Sequence, residues 1–205
     1  MSADPGEADP AKRSRRDEYS DATRAALVAS AQRLFAERGY AATALDEVAA
    51  DARVTKGALY HHFTGKRALF EAVFDAFEQD TVRRVTTAAG AESDLWDGAI
   101  AAVKEYLDLC AGDHGRLVVR EGPVALGWHA WYAEEERYGL GVTKTMLQQL
   151  IASGRIIPVP IDTAARVFFG MLIGAAHLIV ESADQDAARR ETLSVITRFL
   201  EGLRV

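Results

Sequence analysis

The sequence predicts an all-α fold of about nine helices, and three observations carry that prediction. Ala, Leu, Arg and Glu are abundant among the 205 residues, and these residue types favour helix over sheet. Of the five prolines, only those at positions 123, 158 and 160 lie beyond the first ten residues, so long stretches can stay helical. Apolar residues recur at intervals of three and four along most of the chain, which is the spacing of one helix face.

The composition is that of a globular protein, with 49% apolar and 26% charged residues. The longest apolar run, residues 167–180, falls short of the roughly 18 residues that a membrane span needs, and the first twenty residues lack the apolar stretch of a signal peptide. We therefore expect a soluble, cytoplasmic protein with no membrane contact. The single cysteine, Cys110, excludes an intrachain disulfide. We expect a buried, inert thiol there, with a redox sensor as the alternative.

The net charge of −6 is unevenly distributed along the chain. Residues 12–84 carry 13 Lys and Arg against 11 Asp and Glu, whereas residues 85–205 carry 11 against 16. The mildly basic part is the N-terminal one, which permits contact with nucleic acid there without requiring it. Residues 1–20 are polar, so we expect a disordered arm. Its basic residues either stay solvated or contact DNA: Lys12, Arg13, Arg15 and Arg16.

Two long helices are predicted on either side of a short helical pair. The first covers residues 21–38 and ends at Gly39, where a left-handed residue closes a helix. The other begins near Lys66 and buries an apolar stripe that includes Phe74 and Phe77. Three acidic residues are expected to lie outside that stripe: Glu71, Asp75 and Glu78.

The short pair has the plan of a helix-turn-helix over residues 44–63. Thr43 is expected to open its first helix, with Asp46 as the capping-box partner, and Thr55 is expected to cap the second. Two short helices joined by a tight turn and braced by longer helices match the motif, although many small helical domains share this geometry.

The rest of the chain also predicts helices. Ser93 and Asp162 are expected to cap two of them, and Glu134–Glu136 to form a solvated helix face. The expected helices cover residues 93–110, 129–153, 162–182 and 186–203, with one or two turns over 116–122.

The string TKGALYHHF at 55–63, followed by Lys66, is the most distinctive segment of the chain. Together with Gly39-Tyr40 and Val48-Ala49, it resembles the TetR (tetracycline repressor) family of bacterial regulators. The resemblance implies an N-terminal three-helix helix-turn-helix DNA-binding domain and a C-terminal helical ligand-binding and dimerisation domain. We expect these domains at 21–81 and 82–205. The stretch PVALGW, HAW and YGLG within residues 123–141 is similar to one actinobacterial branch of such regulators.

Four positions depart from the family pattern, one of them Gly65, where a helix-capping Ser is usual. The turn between the two short helices usually holds Gly, so Arg53 is expected to adopt a positive φ at a cost of about 1 kcal/mol. Asp46 stands where some members read a base, and Ala44 where a hydroxyl often meets a phosphate. The strength and the sequence preference of DNA binding are therefore left open.

The first turn of the second short helix carries side chains that are expected to reach DNA. Lys56 is placed to donate to a guanine and Thr55 to a base or a phosphate, while Gly57 permits close approach. The resemblance implies phosphate or groove contacts further along, although packing between helices is the alternative for Tyr60 and His62. The expected DNA-binding residues are Thr43, Thr55, Lys56, Gly57, Ala58, Tyr60, His61, His62 and Lys66.

Large side chains in the middle of the C-terminal part are candidates for lining a ligand cavity, with ordinary core packing as their alternative. The candidates are Tyr106, Arg120, Trp128, Trp131, Phe168, Met171 and His177, where Arg120 would anchor an acidic group. The sequence lacks convincing metal-ligand spacings and the motifs of nucleophilic, phosphate-binding or dinucleotide-binding sites. We therefore expect an unknown small-molecule effector, with neither cofactor nor metal and no enzymatic activity.

The helix over 162–182 is apolar nearly all round, so it must be covered on two sides. Gly170 and Gly174 permit another helix to approach closely, and the last helix adds its own apolar stripe. Two such pairs would form the four-helix interface of a homodimer. The expected interface residues are Gly170, Ile173, Gly174, His177, Leu193, Ile196 and Leu200.

Together these features predict a transcription regulator, a repressor that a small-molecule ligand releases from a palindromic double-stranded DNA operator. A helical sensing or scaffold protein that has lost useful DNA binding is the second hypothesis, favoured by Arg53, Asp46 and the modest basic charge. A helical enzyme is the third, and no motif supports it.

Overall fold

The computed structural model describes residues 15–113 and 115–205. In these ranges the secondary-structure elements are all helices, apart from one isolated β-bridge between Ile156 and Arg204. The helices are α1 Arg15–Arg38, α2 Leu45–Asp51, α3 Lys56–His62, α4 Lys66–Ala91, α5 Leu95–Cys110, α6 Gly122–Leu126, α7 Trp128–Glu135, α8 Gly141–Ala152, α9 Ile161–Glu181 and α10 Gln185–Glu201. Two π-helical segments, Gly115–Glu121 and Glu136–Leu140, continue directly into α6 and α8. Counted as unbroken helical rods, the described ranges hold nine, and the all-α prediction is confirmed.

The first helix starts earlier than expected. Residues 15–20, which we expected to be disordered, already belong to α1. Residues 1–14, which include Lys12 and Arg13, lie outside the described residues. At the other end Gly39 has φ +82°, and its N–H donates to the carbonyl of Phe35 at 2.9 Å. The left-handed helix end predicted at Gly39 is therefore confirmed.

The start of α2 corrects the predicted cap. Ala44 is the capping residue, and its N–H donates to Oε2 of Glu47 at 3.0 Å. Thr43 is buried, and its hydroxyl donates to the carbonyls of Gly39 and Leu34 at 2.9 and 3.2 Å. Because this hydroxyl is fully engaged inside the protein, Thr43 fixes the loop onto α1 and is neither a helix cap nor a DNA contact.

Two further caps lie one and two residues away from their predicted positions. Asp94, not Ser93, caps α5 and accepts from the N–H of Trp96 at 2.8 Å. Pro160 precedes α9, which begins at Ile161, so Asp162 lies in the first turn and does not cap the helix. Pro123 also sits in a first turn, that of α6, where its missing N–H costs nothing, so the rod runs on to Leu126.

The core has two parts, and the first joins the predicted domains. Phe35, Phe70 and Phe74 from the N-terminal helices pack in one cluster with Leu117 and Trp131 from the C-terminal part. The predicted boundary between residues 81 and 82 falls inside α4, which runs through it without a break. The N-terminal helices are therefore packed directly against the helices that surround the middle of the molecule.

The second core cluster is built by α5, α8, α9 and α10. Phe168, Ala176 and Ile179 carry the inner face of α9 into it. Among the described helices, α9 has the length and apolar composition that crossing a membrane would need, but a core helix also meets that criterion. Its inner face packs on α5, α8 and α10.

Candidate DNA-binding surface and ligand cavity

The turn between α2 and α3 is held in a strained conformation. Arg53 has φ +57°, and among the described residues it is the one non-glycine with a positive φ, as predicted. The next residue, Val54, donates its N–H to the carbonyl of Ala49 at 3.0 Å. This turn fixes the angle at which α3 leaves α2.

Helix α3 presents one face to solvent and one to the core. Its capping residue Thr55 accepts from the N–H of Ala58 at 3.1 Å, while Leu59 and the following Phe63 are buried. Tyr60 is 49% exposed, so about half of this side chain remains accessible to solvent. The outer face consists of Thr55, Lys56, Gly57, Tyr60 and His61, with Ala58 and His62 half-buried beside it.

Three basic side chains near this surface form ion pairs with acidic side chains of α2. Nζ of Lys56 lies 3.0 Å from Oδ2 of Asp46, and both side chains are more than 60% exposed. Arg38 pairs with Glu47, and Arg33 with Asp51, both between α1 and α2. The two arginine pairs join α2 to α1. All three pairs offset positive charge that DNA phosphates would otherwise meet.

Lys66 has a structural partner that the sequence did not reveal. Its Nζ donates to the carbonyl of Ala41 at 3.0 Å and lies 4.6 Å from the ring centre of Tyr40. Partial burial lowers the pKa of Lys66. The ammonium group therefore holds the loop before α2, and its predicted phosphate contact would have to use the remaining N–H groups.

Helix α4 and the C-terminal helices form the walls of an apolar cavity of about 70 Å³. Tyr106 and Phe168, two of the seven predicted ligand residues, line it. Apolar side chains form most of the rest of the wall: Val82, Val85, Val103, Val142, Met146, Phe169 and Leu172. The cavity lies among α4, α5, the rod over residues 128–152 and α9, in the middle of the C-terminal part.

The other five predicted ligand residues lie elsewhere. Trp131 is fully buried in the first core cluster, and Met171 packs against the second. Arg120, Trp128 and His177 do come together, but in a separate surface depression, where the rings of Trp128 and His177 stack with centres 5.8 Å apart. The predicted set was therefore divided between a cavity, a surface depression and the core.

Two acidic residues that the sequence prediction placed in solvent line the cavity. Glu78 and Glu135 are each only 4% exposed, so the predicted solvent positions of Glu78 and of the middle glutamate of 134–136 are wrong. Glu78 follows Phe74, and Glu135 follows Trp131, by one helical turn, and both preceding side chains are buried. That i, i+4 spacing was the available signal, since residues one turn apart share a helix face.

Burial dominates the protonation of this pair. It raises the pKa of Glu78 to about 7. Burial and the nearby carboxyl group of Glu78 raise the pKa of Glu135 well above its usual value, an effect that the indole of Trp131 opposes. Burial also raises the pKa values of Tyr106 and Cys110. Cys110 is fully buried, as predicted, and its raised pKa disfavours a reactive thiolate.

Comparison with known families identifies both parts of the chain. Residues 27–73 match the model of bacterial regulatory proteins of the tetR family, and residues 96–203 match a tetracyclin repressor-like C-terminal domain. The second match alone covers more than half of the 205 residues. The chain belongs to the TetR family.

Relatives agree with this assignment. A TetR-family transcriptional regulator from Pectobacterium atrosepticum has a similar structure, with a TM-score of 0.82 and 29% identity over 94% of this chain and 98% of that one. The transposon Tn10 TetC protein of Escherichia coli is 31% identical over 63% of this chain, but the match spans only 66% of that protein. RolR in complex with resorcinol shares the fold, with a TM-score of 0.67 and 22% identity over 89% of each chain.

One contact connects the DNA-facing part of this TetR-family protein with its C-terminal part. Oε2 of Glu121, at the end of the first π-helical segment, accepts from the N–H of Tyr40 at 2.7 Å. The neighbouring Gly122 leaves no room for a side chain, because a Cβ there would lie 2.5 Å from the ring of Trp131. Trp131 is one turn from Glu135, so a short path of contacts leads from the cavity to the loop before α2.

The outer face of α9 and α10 is apolar and uncovered in the single chain. Val167 and Leu178 on α9 are 69% and 56% exposed, and Val195 and Phe199 on α10 are 50% and 64% exposed. A Cβ added to Gly170 or Gly174 would meet no atom within 4 Å. This set of six residues is called the α9–α10 face below.

The predicted interface residues fall into two groups by their burial in the single chain. Gly170 and Gly174 belong to the α9–α10 face, whereas Ile173, Ile196 and Leu200 are at most 5% exposed and pack inside their own chain. Leu193 and His177 are half-buried. The predicted stripe on α10 is therefore the one that covers its own core, and the outer stripe is the Val195 and Phe199 pair.

Proposed function

We propose that this chain is a homodimeric DNA-binding transcriptional regulator, a repressor that a small-molecule effector releases from a near-palindromic operator in the cytoplasm. It would act by binding DNA and not by catalysis. The observation that carries the proposal is the exposed first turn of α3, with Lys56 and Gly57 outward and Leu59 and Phe63 anchoring the helix from behind. Membership of the TetR family and the cavity in the C-terminal part support it.

In this proposal α3 lies in the major groove, where its exposed side chains reach base edges. Lys56 would donate to a guanine and Tyr60 and His61 to the flanking backbone. Thr55 retains a hydroxyl proton for a phosphate while its oxygen caps the helix. Two copies of α3 are needed, and the α9–α10 face is where a second chain would pair.

The contact between Glu121 and Tyr40 is our proposed point of coupling. A ligand that displaces Glu135 would shift Trp131, which packs against Gly122 next to Glu121. Because Tyr40 precedes the loop into α2, a shift of Glu121 would change the orientation of the helix-turn-helix. RolR, which shares the fold, is known with a small aromatic ligand, resorcinol.

A sensing or scaffold protein without useful DNA binding is the second candidate. The specific observation in its favour is the ion pair between Lys56 and Asp46, which occupies the cation best placed to reach DNA. Removing the carboxylate separates the two candidates.

We expect Asp46→Asn to tighten binding to the protein's own upstream DNA by about tenfold or more at low salt, because each freed Lys56 gains a contact to DNA. Lys56→Ala should weaken binding and lose discrimination by about 1–3 kcal/mol at the bases it reads. Fluorescence anisotropy with cognate and scrambled duplexes at several salt concentrations measures both. The matched control is Asp80→Asn, which removes an exposed carboxylate that pairs with Arg83 on α4.

The double variant decides what the Asp46→Asn effect means. If Lys56 mediates it, the gain disappears in a Lys56→Ala background, as a double-mutant cycle shows directly. An unchanged gain in that background would mean that only overall charge matters. Failure of the wild type and of Asp46→Asn to prefer cognate DNA would favour the sensing or scaffold protein.

A further inference from the structure

Glu135 places a carboxyl group in the wall of an apolar cavity and leaves an oxygen without a partner. The residue is 4% exposed, and neither its Oε1 nor Nε1 of Trp131, one turn earlier, makes a hydrogen bond of ordinary geometry among residues 15–113 and 115–205. A buried polar atom without a partner costs free energy, and a buried charge costs far more. Glu78 from α4 lines the same cavity, so this cost arises beside a second acid. Such an arrangement suits a partner that arrives from outside the chain.

We propose that the cavity binds the positively charged end of a small organic cation, an alkyl- or arylammonium compound with an apolar body, and that this cation is the effector. Only the role of this cation as the effector depends on the proposed function, and its binding to the cavity does not. The proposal names the chemical class of the ligand and the two carboxyl groups that recognise it.

The charges around the cavity favour a cation over other ligands. The titratable residues that line it are Glu78 from α4, Tyr106 from α5 and Glu135 from α7, and Cys110 interacts with Tyr106 without lining the cavity itself. Of the lining residues within the described ranges 15–113 and 115–205, none is Lys, Arg or His, and those from α8 and α9 carry no charge. An ionised carboxyl group here would therefore repel an anion, and a neutral donor would leave the acids protonated. A cation instead favours the ionised form of these carboxyl groups, because it offsets the charge that burial disfavours.

The shape of the surroundings requires an apolar body behind the charged end. The cavity of about 70 Å³ adjoins a groove of about 660 Å³, and the two share four lining residues: Val85, Ala102, Val142 and Met146. The groove lies within the roughly 300–1,000 Å³ that ligand sites occupy. The lining residues that the groove does not share with the cavity include Thr86, Glu92 and Gln149, which are exposed. An ammonium group held at Glu135 would thus direct its chain between α4, α5 and α8 toward solvent.

Binding of a cation should be linked to protons. Burial raises the pKa of Glu78 to about 7 and that of Glu135 further, so the empty pair is largely protonated at neutral pH. A cation favours the ionised carboxylates, so binding releases protons. The affinity should therefore rise with pH, by up to about tenfold per pH unit for each proton released.

The test uses three probes that share an eight-carbon chain: octylammonium, 1-octanol and octanoate. Isothermal titration calorimetry of the full chain at pH 6 and pH 8 measures their affinities. We expect octylammonium to bind at least about tenfold more tightly than 1-octanol at pH 8, and to bind more weakly at pH 6 than at pH 8. Octanoate should show no measurable binding at either pH. Equal affinity for octylammonium and 1-octanol, or a preference for octanoate, would overturn the proposal.

Two isosteric variants locate the recognition. Glu135→Gln should weaken octylammonium binding by about tenfold or more while 1-octanol binding stays within about twofold. Glu134→Gln removes the same charge one residue away, where the carboxylate pairs with Arg137, and should leave both affinities unchanged. Equal losses in the two variants would mean that net charge alone attracts the cation, and would also overturn the assignment.

This test is independent of DNA. If octylammonium binds as expected but the chain does not bind its upstream DNA, the proposed function is wrong and the cation site is retained. If the chain binds DNA but calorimetry shows no preference for the cation, the cation site fails and the regulator stands. Circular dichroism of both variants verifies that the helical fold is intact.

Discussion

Gly174→Asp is expected to convert the dimer into folded monomers and to weaken operator binding by about a hundredfold or more. In the single chain this position is exposed, and a side chain there would meet no atom within 4 Å, so the subunit itself tolerates Asp. In a dimer formed through the α9–α10 face, the carboxylate would be buried against apolar side chains without a partner. The loss of DNA affinity follows because two linked half-site contacts bind far more tightly than one.

Sedimentation velocity at micromolar concentration measures the first effect and fluorescence anisotropy the second. Gly141→Asp is the matched control, because Gly141 is also an exposed helical glycine with open space around its Cα but lies outside the α9–α10 face. A Gly174→Asp protein that remains a dimer would place the interface elsewhere. A wild type that is monomeric would remove the basis for two-fold recognition of DNA.

Glu78→Gln is expected to stabilise the protein at pH 8 by roughly 3 kcal/mol and to change its stability little at pH 4.5. The pKa of Glu78 is raised from 4.5 to about 7 by burial. Below pH 4.5 the carboxyl group is protonated in the folded and the unfolded chain alike. As the pH rises to 7, ionisation favours the unfolded chain, so the contribution of Glu78 to stability is lost across that window. Glutamine stays neutral and avoids the loss.

Urea denaturation at pH 5, 6, 7 and 8 and one fixed protein concentration measures this difference between variant and wild type. The control is Glu71→Gln, one heptad earlier on α4, where the exposed carboxylate pairs with Arg67. Its effect on the free energy of unfolding should not grow across the window. A Glu78→Gln effect that is the same at pH 5 and pH 8 would show that the folded protein accommodates the ionised carboxyl group.

The helices and the helix-turn-helix were predictable because their signals are local. Gly39 and Thr55 end and begin helices through their own backbone and side-chain chemistry, and the unusual φ of Arg53 follows from its place in a tight turn. The cap of α2 was missed because Thr43 and Ala44 compete for one position. The threonine hydroxyl is taken by the carbonyls of α1, a contact that only the packed structure reveals.

The cavity and the dimer face were not predictable in the same way, because they depend on which of two faces a helix turns inward. Glu78 and Glu135 lie on buried faces, but charged side chains are expected in solvent, and that expectation outweighed the spacing. Helix α10 carries two apolar stripes, and its sequence alone does not say which one covers its own core. The π-helical segment Glu136–Leu140 adds a further shift, since it changes the phase of the rod that one regular helix was expected to form.

Two copies of α3 are proposed to read one stretch of double-stranded DNA, and footprinting of the wild-type protein on its own upstream DNA is the decisive experiment. We expect two protected patches of major groove on one face of the duplex, with centres roughly 34–36 Å apart or a multiple of that spacing. Protection should weaken steeply as salt is raised, because Lys and Arg contacts to phosphates release counterions. A single protected patch, or none at protein concentrations where the dimer is fully formed, would contradict it.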